Sequence, residues 1–221
     1  MTVTTRWWWV RHAPVHNPDH RLYGQTDIEA DTSDDAALAA LGAILPNDAV
    51  WITSHLKRSQ QTASAIEPHV AAAPAPVIEP DIAEQNFGAW QGMTFDELKD
   101  YLDDGFDAFW RAPGHTTPPE GESFATVIDR VGVAVRSLTE TYPGRDIVAF
   151  AHGGSIRAAL ALALDLDANA ALSFQIENLS LTRIDHIERP DGRPVPGAVR
   201  PWRITAVNML HHRAGGAGGA T

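Results

Sequence analysis

Cysteine is absent from the 221-residue chain, which excludes disulfides, thiolate nucleophiles, iron–sulfur clusters and thiolate zinc sites together. Lysine is almost absent too, with only Lys57 and Lys99, so the positive charge is carried by arginine, whose planar fork holds phosphate oxygens bidentately. Genomic base composition produces the same bias, so this preference is only permissive. Cations are scarce overall: 17 Lys and Arg against 28 Asp and Glu leave a net charge of −11. That balance disfavours nonspecific attraction to nucleic acid or to an anionic membrane, and any anion must be held by a local constellation. Long apolar runs are missing as well. The longest, Ala158 to Leu164, is closed by Arg157 and Asp165 and is too short to span a bilayer. Trp7-Trp8-Trp9-Val10 is likewise too short for a signal-peptide core. A soluble, cytoplasmic protein is the expectation.

What is present is a globular composition, 44% hydrophobic and 20% charged with the two interleaved, which excludes disorder across the chain. The length fits one α/β domain, expected over residues 1–208 with a flexible tail over 209–221. Bulky residues 5–10 predict a strand that ends at Arg11-His12, where Pro14 and Pro18 forbid a helix. A helix over Asp34–Leu45, a strand over Ala49–Thr53 and a helix over Lys57–Ile66 follow, then strand character at Val77-Ile78. Thr94 with Glu97 three residues on predicts a capped helix start. Phe124, Val127, Ile128, Val131, Val135 and Leu138 recur at helical steps and mark a long amphipathic helix. Asp146–Ala151 reads as a strand, His152–Ser155 as a tight turn and Ile156–Leu164 as a buried helix; late strands are expected over 173–187 and 201–207. Alternating strands and helices predict a three-layer α/β/α sandwich on a mainly parallel sheet.

In such sheets ligands bind beyond the carboxyl ends of strands, where side chains and helix N-termini converge. Three such ends carry polar groups here: Arg11-His12, Ser54 to Arg58, and His152-Gly153. Two histidines and two arginines at one mouth suit a phosphoryl group, since arginines neutralise its oxygens while a neutral imidazole attacks phosphorus. The attacking ring must donate one N–H, usually to a backbone carbonyl, and keep a lone pair on the other nitrogen. A leaving alkoxide needs a proton, and Glu84, ahead of Gln85-Asn86-Phe87-Gly88, is a candidate general acid. Glu122 competes for that role, or serves as a helix N-terminal charge. Tyr23 either lines the pocket or simply packs.

Together these segments resemble the histidine phosphatase superfamily, which has the phosphoglycerate mutase-like fold. Arg11-His12 matches the start of its Arg-His-Gly signature, and Ser54-His55-Leu56-Lys57-Arg58-Ser59-Gln60-Gln61-Thr62-Ala63 matches its Ser-x-Leu-x-Arg-x-x-Gln-Thr-Ala segment. Glu84 to Gly92 looks like its acid segment, Gly121-Glu122-Ser123 like its Gly-Glu-Ser loop, and His152-Gly153-Gly154 like its second histidine. The resemblance implies that His12 is phosphorylated, that Arg11, Arg58 and His152 hold the phosphoryl group, and that Glu84 protonates the leaving oxygen; a protonated His152 is expected in the transition state. Tyr23, Gly24 and Gly153 are the further substrate-contacting candidates. No metal or other cofactor is implied. Tyr23-Gly24-Gln25-Thr26-Asp27 is similar to the α-ribazole phosphatase branch. Ala13-Pro14 departs from the usual Gly-Glu and would resist a positive φ at position 13, and Asn17 lies one position early for the family's asparagine. Met93–Trp110 holds Lys99 alone, where mutases insert an arginine-bearing segment, so hydrolysis of a small phosphorylated metabolite is favoured over mutase transfer. Two rivals from other classes stand beside this reading. A serine esterase on Ser123 lacks the nucleophile-elbow glycine and the right chain order. A phosphate-binding module without turnover has no use for His12 and Glu84 together. The sequence leaves the oligomeric state open.

Overall fold

The computed structural model describes residues 2–191, 195–196 and 200–210. The tryptophan-rich run becomes the strand Val3–Arg11 (β1), and the alternation of a strand sends its side chains to opposite faces. Trp7 and Trp9 are fully buried on one face, stacked with centroids 5.2 Å apart, and the Trp7 indole N–H donates to Thr139 Oγ1 at 3.0 Å. Trp8 and Val10 face the other way.

Asp35–Gly42 (α1) follows, N-capped by Asp34, then Val50–Thr53 (β2), Lys57–Ile66 (α2) and the two-residue strand Val77–Ile78 (β3). Phe95–Leu102 (α3) opens with the capping box of Thr94 and Glu97 that the sequence predicts. Phe106–Arg111 (α4) and the long helix Phe124–Thr141 (α5), capped by Ser123, lead to Asp146–Ala151 (β4). Gly153–Leu164 (α6), Ala168–Ala171 (α7), Leu181–Glu188 (β5) and Trp202–Met209 (β6) complete the described elements.

The sheet order is β3-β2-β4-β1-β5-β6. β1 to β4 pair in parallel, while β5 and β6 add an antiparallel flank. Trp7, Trp9, Ile147 and Ala149 pack with α5 and α6 on one face, and Val10, Trp51, Val148 and Phe150 pack with α1 and α2 on the other. The molecule is therefore the three-layer α/β/α sandwich expected, with the parallel strands β1, β2 and β4 buried from both sides and the short edge strand β3 exposed. Each fully buried tryptophan contributes about 2–3 kcal/mol by area.

Three local expectations are corrected. Residues 173–180 are not strand: Leu179 has φ +55 and its N–H bonds Arg11 O at 3.0 Å, so this stretch spends its backbone groups on the end of β1 instead of on a ladder. α6 begins at Gly153, not Ile156; Gly154 needs no intrahelical partner in the first turn because its N–H is taken by Glu84 at 3.0 Å. β6 runs to Met209, so the boundary expected after residue 208 falls inside a strand. The expected tail beyond it, from residue 211, lies outside the described residues.

Candidate active site

At the end of β1 the chain is held from several sides. His12 N–H bonds Ala151 O at 2.9 Å, His12 O accepts from Asn178 Nδ2 at 2.8 Å, and Ala13 N–H bonds Thr62 Oγ1 at 2.8 Å. The ring is fixed by its own loop: Nδ1 lies 2.6 Å from Ala13 O. A carbonyl only accepts, so Nδ1 carries the hydrogen and Nε2 keeps its lone pair. Ala13 is not in the left-handed region, which removes the conflict expected from Pro14. The amide of Asn17 is spent at both ends on Arg21, at 2.9 and 3.0 Å.

Arg58 projects from the first turn of α2 and is fully buried. Nη1 and Nη2 donate to Thr26 O and Gly24 O at 2.9 and 2.5 Å, and Cζ lies 4.9 Å from the centroid of the Tyr23 ring. Tyr23 and Gly24 thus meet the site by orienting Arg58. From β4, His152 reaches the same place: its ring centroid is 5.2 Å from that of His12, and its Nε2 is 2.8 Å from Ser54 Oγ. Arg11 Nη1 donates to Ile176 O at 2.5 Å. Glu84 Oε1 accepts from the N–H groups of Gly154 and Gln85, both at 3.0 Å. A Cβ on Gly154 would collide with that carboxylate, which is why glycine stands there.

Arg11, His12, Arg58, Glu84 and His152 are thereby brought together around the N-terminus of α6. Among the described residues nine buried side-chain nitrogen or oxygen atoms have no protein partner, and four of them are Arg11 Nε, His12 Nε2, Arg58 Nε and His152 Nδ1. Unpartnered buried groups are rare and costly, so their concentration at one point marks a place built for an anion. Electrostatics agree. Burial first, then Arg58 and Arg11, push His12 well below the usual histidine range. Burial, then His12, Arg58, Arg11 and Arg130, do the same for His152. In the free protein this disfavours the charged form of both rings, because an imidazolium here would be dehydrated and surrounded by guanidinium groups.

Several residues here have no assigned role in the sequence reading. Arg130, in the middle of α5, chelates Glu122 with Nε–Oε2 at 2.9 Å and Nη2–Oε1 at 2.7 Å. It also donates to the carbonyls of Asp81, Ala83 and Glu84 at 2.6, 3.0 and 3.0 Å. Glu122 is therefore not a free acid; with Arg130 it pins the loop that carries Glu84. Arg157, one turn into α6, donates to Phe174 O at 2.7 Å. Its Nη1 and the Arg11 guanidinium both lie within 4 Å of where a Cβ on Gly153 would sit, so Gly153 lets the two cations approach. Ser54 and Thr62 lie inside a motif visible in sequence, whereas Asn178, Arg130 and Arg157 have no pattern that separates them from ordinary surface polarity.

A sequence model of the histidine phosphatase superfamily, branch 1, matches residues 7–192. The chain belongs to that superfamily. The bifunctional protein Rv2228c of Mycobacterium tuberculosis is 31% identical over 134 residues, covering 61% of this chain and 36% of that protein; the chain thus spans little more than a third of that relative. An uncharacterized phosphatase, PhoE of Bacillus subtilis, is 26% identical over 212 residues, 93% of this chain and 95% of PhoE. Among solved structures, the mycobacterial glucosyl-3-phosphoglycerate phosphatase Rv2419c superposes with a TM-score of 0.76 at 26% identity, covering 93% of this chain and 99% of that one. Among the described residues of this superfamily member no helix is long and apolar enough to cross a membrane.

Proposed function

We propose that this histidine phosphatase superfamily member is a metal-independent phosphomonoesterase acting through a phosphohistidine at His12. The observation that carries the reading is the tautomer of that ring: with Nδ1–H committed to Ala13 O, the Nε2 lone pair is the nucleophile, placed beside His152 and between Arg11 and Arg58. In the first step Nε2 attacks phosphorus, the ester P–O bond breaks, and protonated Glu84 delivers its proton to the departing alkoxide, so an alcohol leaves. In the second, Glu84 takes a proton from water, the water oxygen attacks phosphorus, and the P–N bond breaks to release phosphate and restore the lone pair. Arg11 and Arg58 meet the charge spread over the equatorial oxygens in both steps, each worth about 2–4 kcal/mol in a site shielded from water.

The substrate is a small phosphorylated metabolite. Tyr23-Gly24-x-x-Asp27 favours an α-ribazole 5'-phosphate-like ester, and the likeness to Rv2419c makes a phosphoglycerate derivative the next candidate. A single catalytic domain extending through β6 carries the activity. The test is to follow 32P from labelled substrate into the protein, with chelator present, and to compare α-ribazole 5'-phosphate, glucosyl-3-phosphoglycerate, 3-phosphoglycerate and p-nitrophenyl phosphate. An acid-labile, base-stable adduct lost in His12→Ala, together with loss of essentially all turnover, is expected. Turnover that survives His12→Ala, or that chelator abolishes, refutes the proposal.

A further inference from the structure

The two site histidines present one unpartnered buried nitrogen each, His12 Nε2 and His152 Nδ1, and the chemistry needs them to differ. An oxyanion is repelled by a second bare lone pair and attracted by an N–H. For His12 the carbonyl of Ala13 decides which nitrogen carries hydrogen. For His152 the decision falls to Ser54, whose hydroxyl lies 2.8 Å from Nε2. We propose that Ser54 is a positioning residue that fixes His152 as the Nδ1–H tautomer, so that the second histidine meets the phosphoryl group as a hydrogen-bond donor. This assignment rests on the phosphatase reading for the identity of the anion, but not for the tautomer itself.

The donor and acceptor count at Ser54 supports it. Its Oγ already accepts the Leu56 N–H at 3.2 Å, and both Ser54 and His152 are fully buried, so no bulk water completes the valences. A hydroxyl has one hydrogen and two acceptor sites. If His152 carried hydrogen on Nε2, Oγ would accept twice and its own hydrogen would be left without a protein acceptor, at the cost of an unmade buried bond. If instead Oγ–H donates to Nε2, every group is satisfied and Nδ1–H faces the anion. The charged or titratable groups acting on His152 are His12 and Arg11 from the β1 end, Arg58 from α2 and Arg130 from α5. These four oppose a positive ring, while Glu84, on the Gly154 N–H, is among the described residues the one carboxylate at the same helix N-terminus. Ser54 itself is placed by the strand-to-helix junction, where Ser59 Oγ accepts the Ser54 N–H at 3.0 Å and donates to Phe150 O on the neighbouring strand.

The decisive measurement is a long-range 1H–15N imidazole correlation spectrum of the full-length protein at neutral pH, with the His152 pattern assigned by its loss in His152→Gln. A protonated Nδ1 and a bare Nε2 are expected in the wild type. Ser54→Ala should mix the tautomers, weaken inhibition by vanadate at least about tenfold and lower kcat by a similar factor, as expected when a catalytic imidazole loses its tautomer guide. Ser54→Thr, which keeps the hydroxyl, should restore the wild-type spectrum. An Nε2–H ring or an imidazolium in the wild type overturns the proposal, and so does an unchanged Nδ1–H pattern in Ser54→Ala. The wild-type spectrum decides even where a variant fails to fold. If the protein hydrolyses no phosphomonoester, the phosphatase reading fails while the spectrum still tests the tautomer.

Discussion

Two regions of the chain handle aromatic and polar side chains in opposite ways. At the carboxyl ends of β1, β2 and β4, His12, Arg58 and His152 are completely buried, and His12 and Arg58 are each anchored on backbone carbonyls. Over residues 95–111, by contrast, Phe95, Tyr101 and Trp110 are exposed, and the rings lean chiefly on one another: Phe95 stacks on Trp110 at 6.0 Å, and Phe109 meets Trp110 at 5.2 Å. The deep anchors are Leu98, which is buried, and buried Trp90, 5.3 Å from Phe109. A group whose donors are bound to backbone has a direction set by the sheet, to within the tolerance that chemistry demands. Rings held by rings can shift without disturbing the sheet. The first region takes its direction from backbone hydrogen bonds; the second takes its direction mainly from contacts between rings. They are joined through the loop that contacts Arg58: Leu22 N–H bonds Met93 O at 2.8 Å and Gln25 N–H bonds Gln91 Oε1 at 2.8 Å.

The largest effect that separates the two regions belongs to Glu84. Glu84→Gln keeps the acceptor oxygen for Gly154 N–H but has no proton for an alkoxide, so kcat on alkyl phosphates should fall about 10²–10⁴-fold. Aryl phosphates, whose leaving groups are already stable anions, should lose far less in the first step. Equal losses on p-nitrophenyl and alkyl esters, measured by pre-steady-state release of the alcohol, remove Glu84 from the role of acid.

Next comes Arg130, which tests whether the rigidity of the first region is wired from behind. Arg130→Leu strips the Glu84 loop of its carbonyl anchors and strands Glu122, for a cost of about 3 kcal/mol, less than for a fully buried pair because both side chains retain some water contact. For a chain of this length that lowers Tm by about 8 °C. A double-mutant cycle with Glu122→Gln, read by thermal denaturation, should show coupling above about 1 kcal/mol; additive losses would mean the pair is incidental.

How much of this could be read from residues follows the same division. The strand, turn and helix order of the first region is legible because buried parallel strands leave uninterrupted apolar runs, and because Arg11-His12, Ser54 to Ala63 and His152-Gly153 each fall where such a run stops. Glu122 was ambiguous between acid and structural charge, since sequence shows a carboxylate but not the arginine eight residues on that chelates it. Arg130 and Arg157 look like the polar faces of helices, and only three-dimensional packing turns them inward. The false strand over 173–180 arose because apolar alternation cannot reveal that Leu179 adopts a left-handed backbone to return an N–H to Arg11. The burial of His152 beside two guanidinium groups, which lowers its pKa in the free protein, is likewise invisible in a strand-end histidine read from sequence.

Acidification sharpens the comparison at lower energy, because the buried rings resist protons that the unfolded chain accepts. His12 and His152 both have folded-state pKa values below the unfolded value of about 6.5, so below that pH the unfolded chain binds more protons and stability falls. Their contribution is therefore fully present above about pH 6.5 and is lost as the pH drops below it, by up to about 1.4 kcal/mol per pH unit for each ring until its folded pKa is reached. Tm measured from pH 8 to 5 should decline over this window. A His12→Asn, His152→Gln double variant should decline less steeply, with the partly buried His186, whose pKa is lowered by burial, supplying part of the remaining slope. An identical decline in both proteins would mean the two rings are not buried neutral.

The smallest effect lies in the second region. Trp110→Ala removes a half-exposed ring that stacks on Phe95 and meets Phe106 edge-on, so stability should change by less than about 1 kcal/mol. If this face receives the alcohol portion of the substrate, losing one stacking surface raises KM for a bulky ring-bearing ester about three- to fivefold, the equivalent of one exposed aromatic contact. The turnover number on p-nitrophenyl phosphate, which is too small to reach across the segment, should stay within about twofold because no group in the first region has moved. A drop in kcat on the small ester would tie the aromatic segment to the machinery after all, through the Leu22 and Gln25 hydrogen bonds that border Arg58, and the division of labour between the two regions would have to be abandoned.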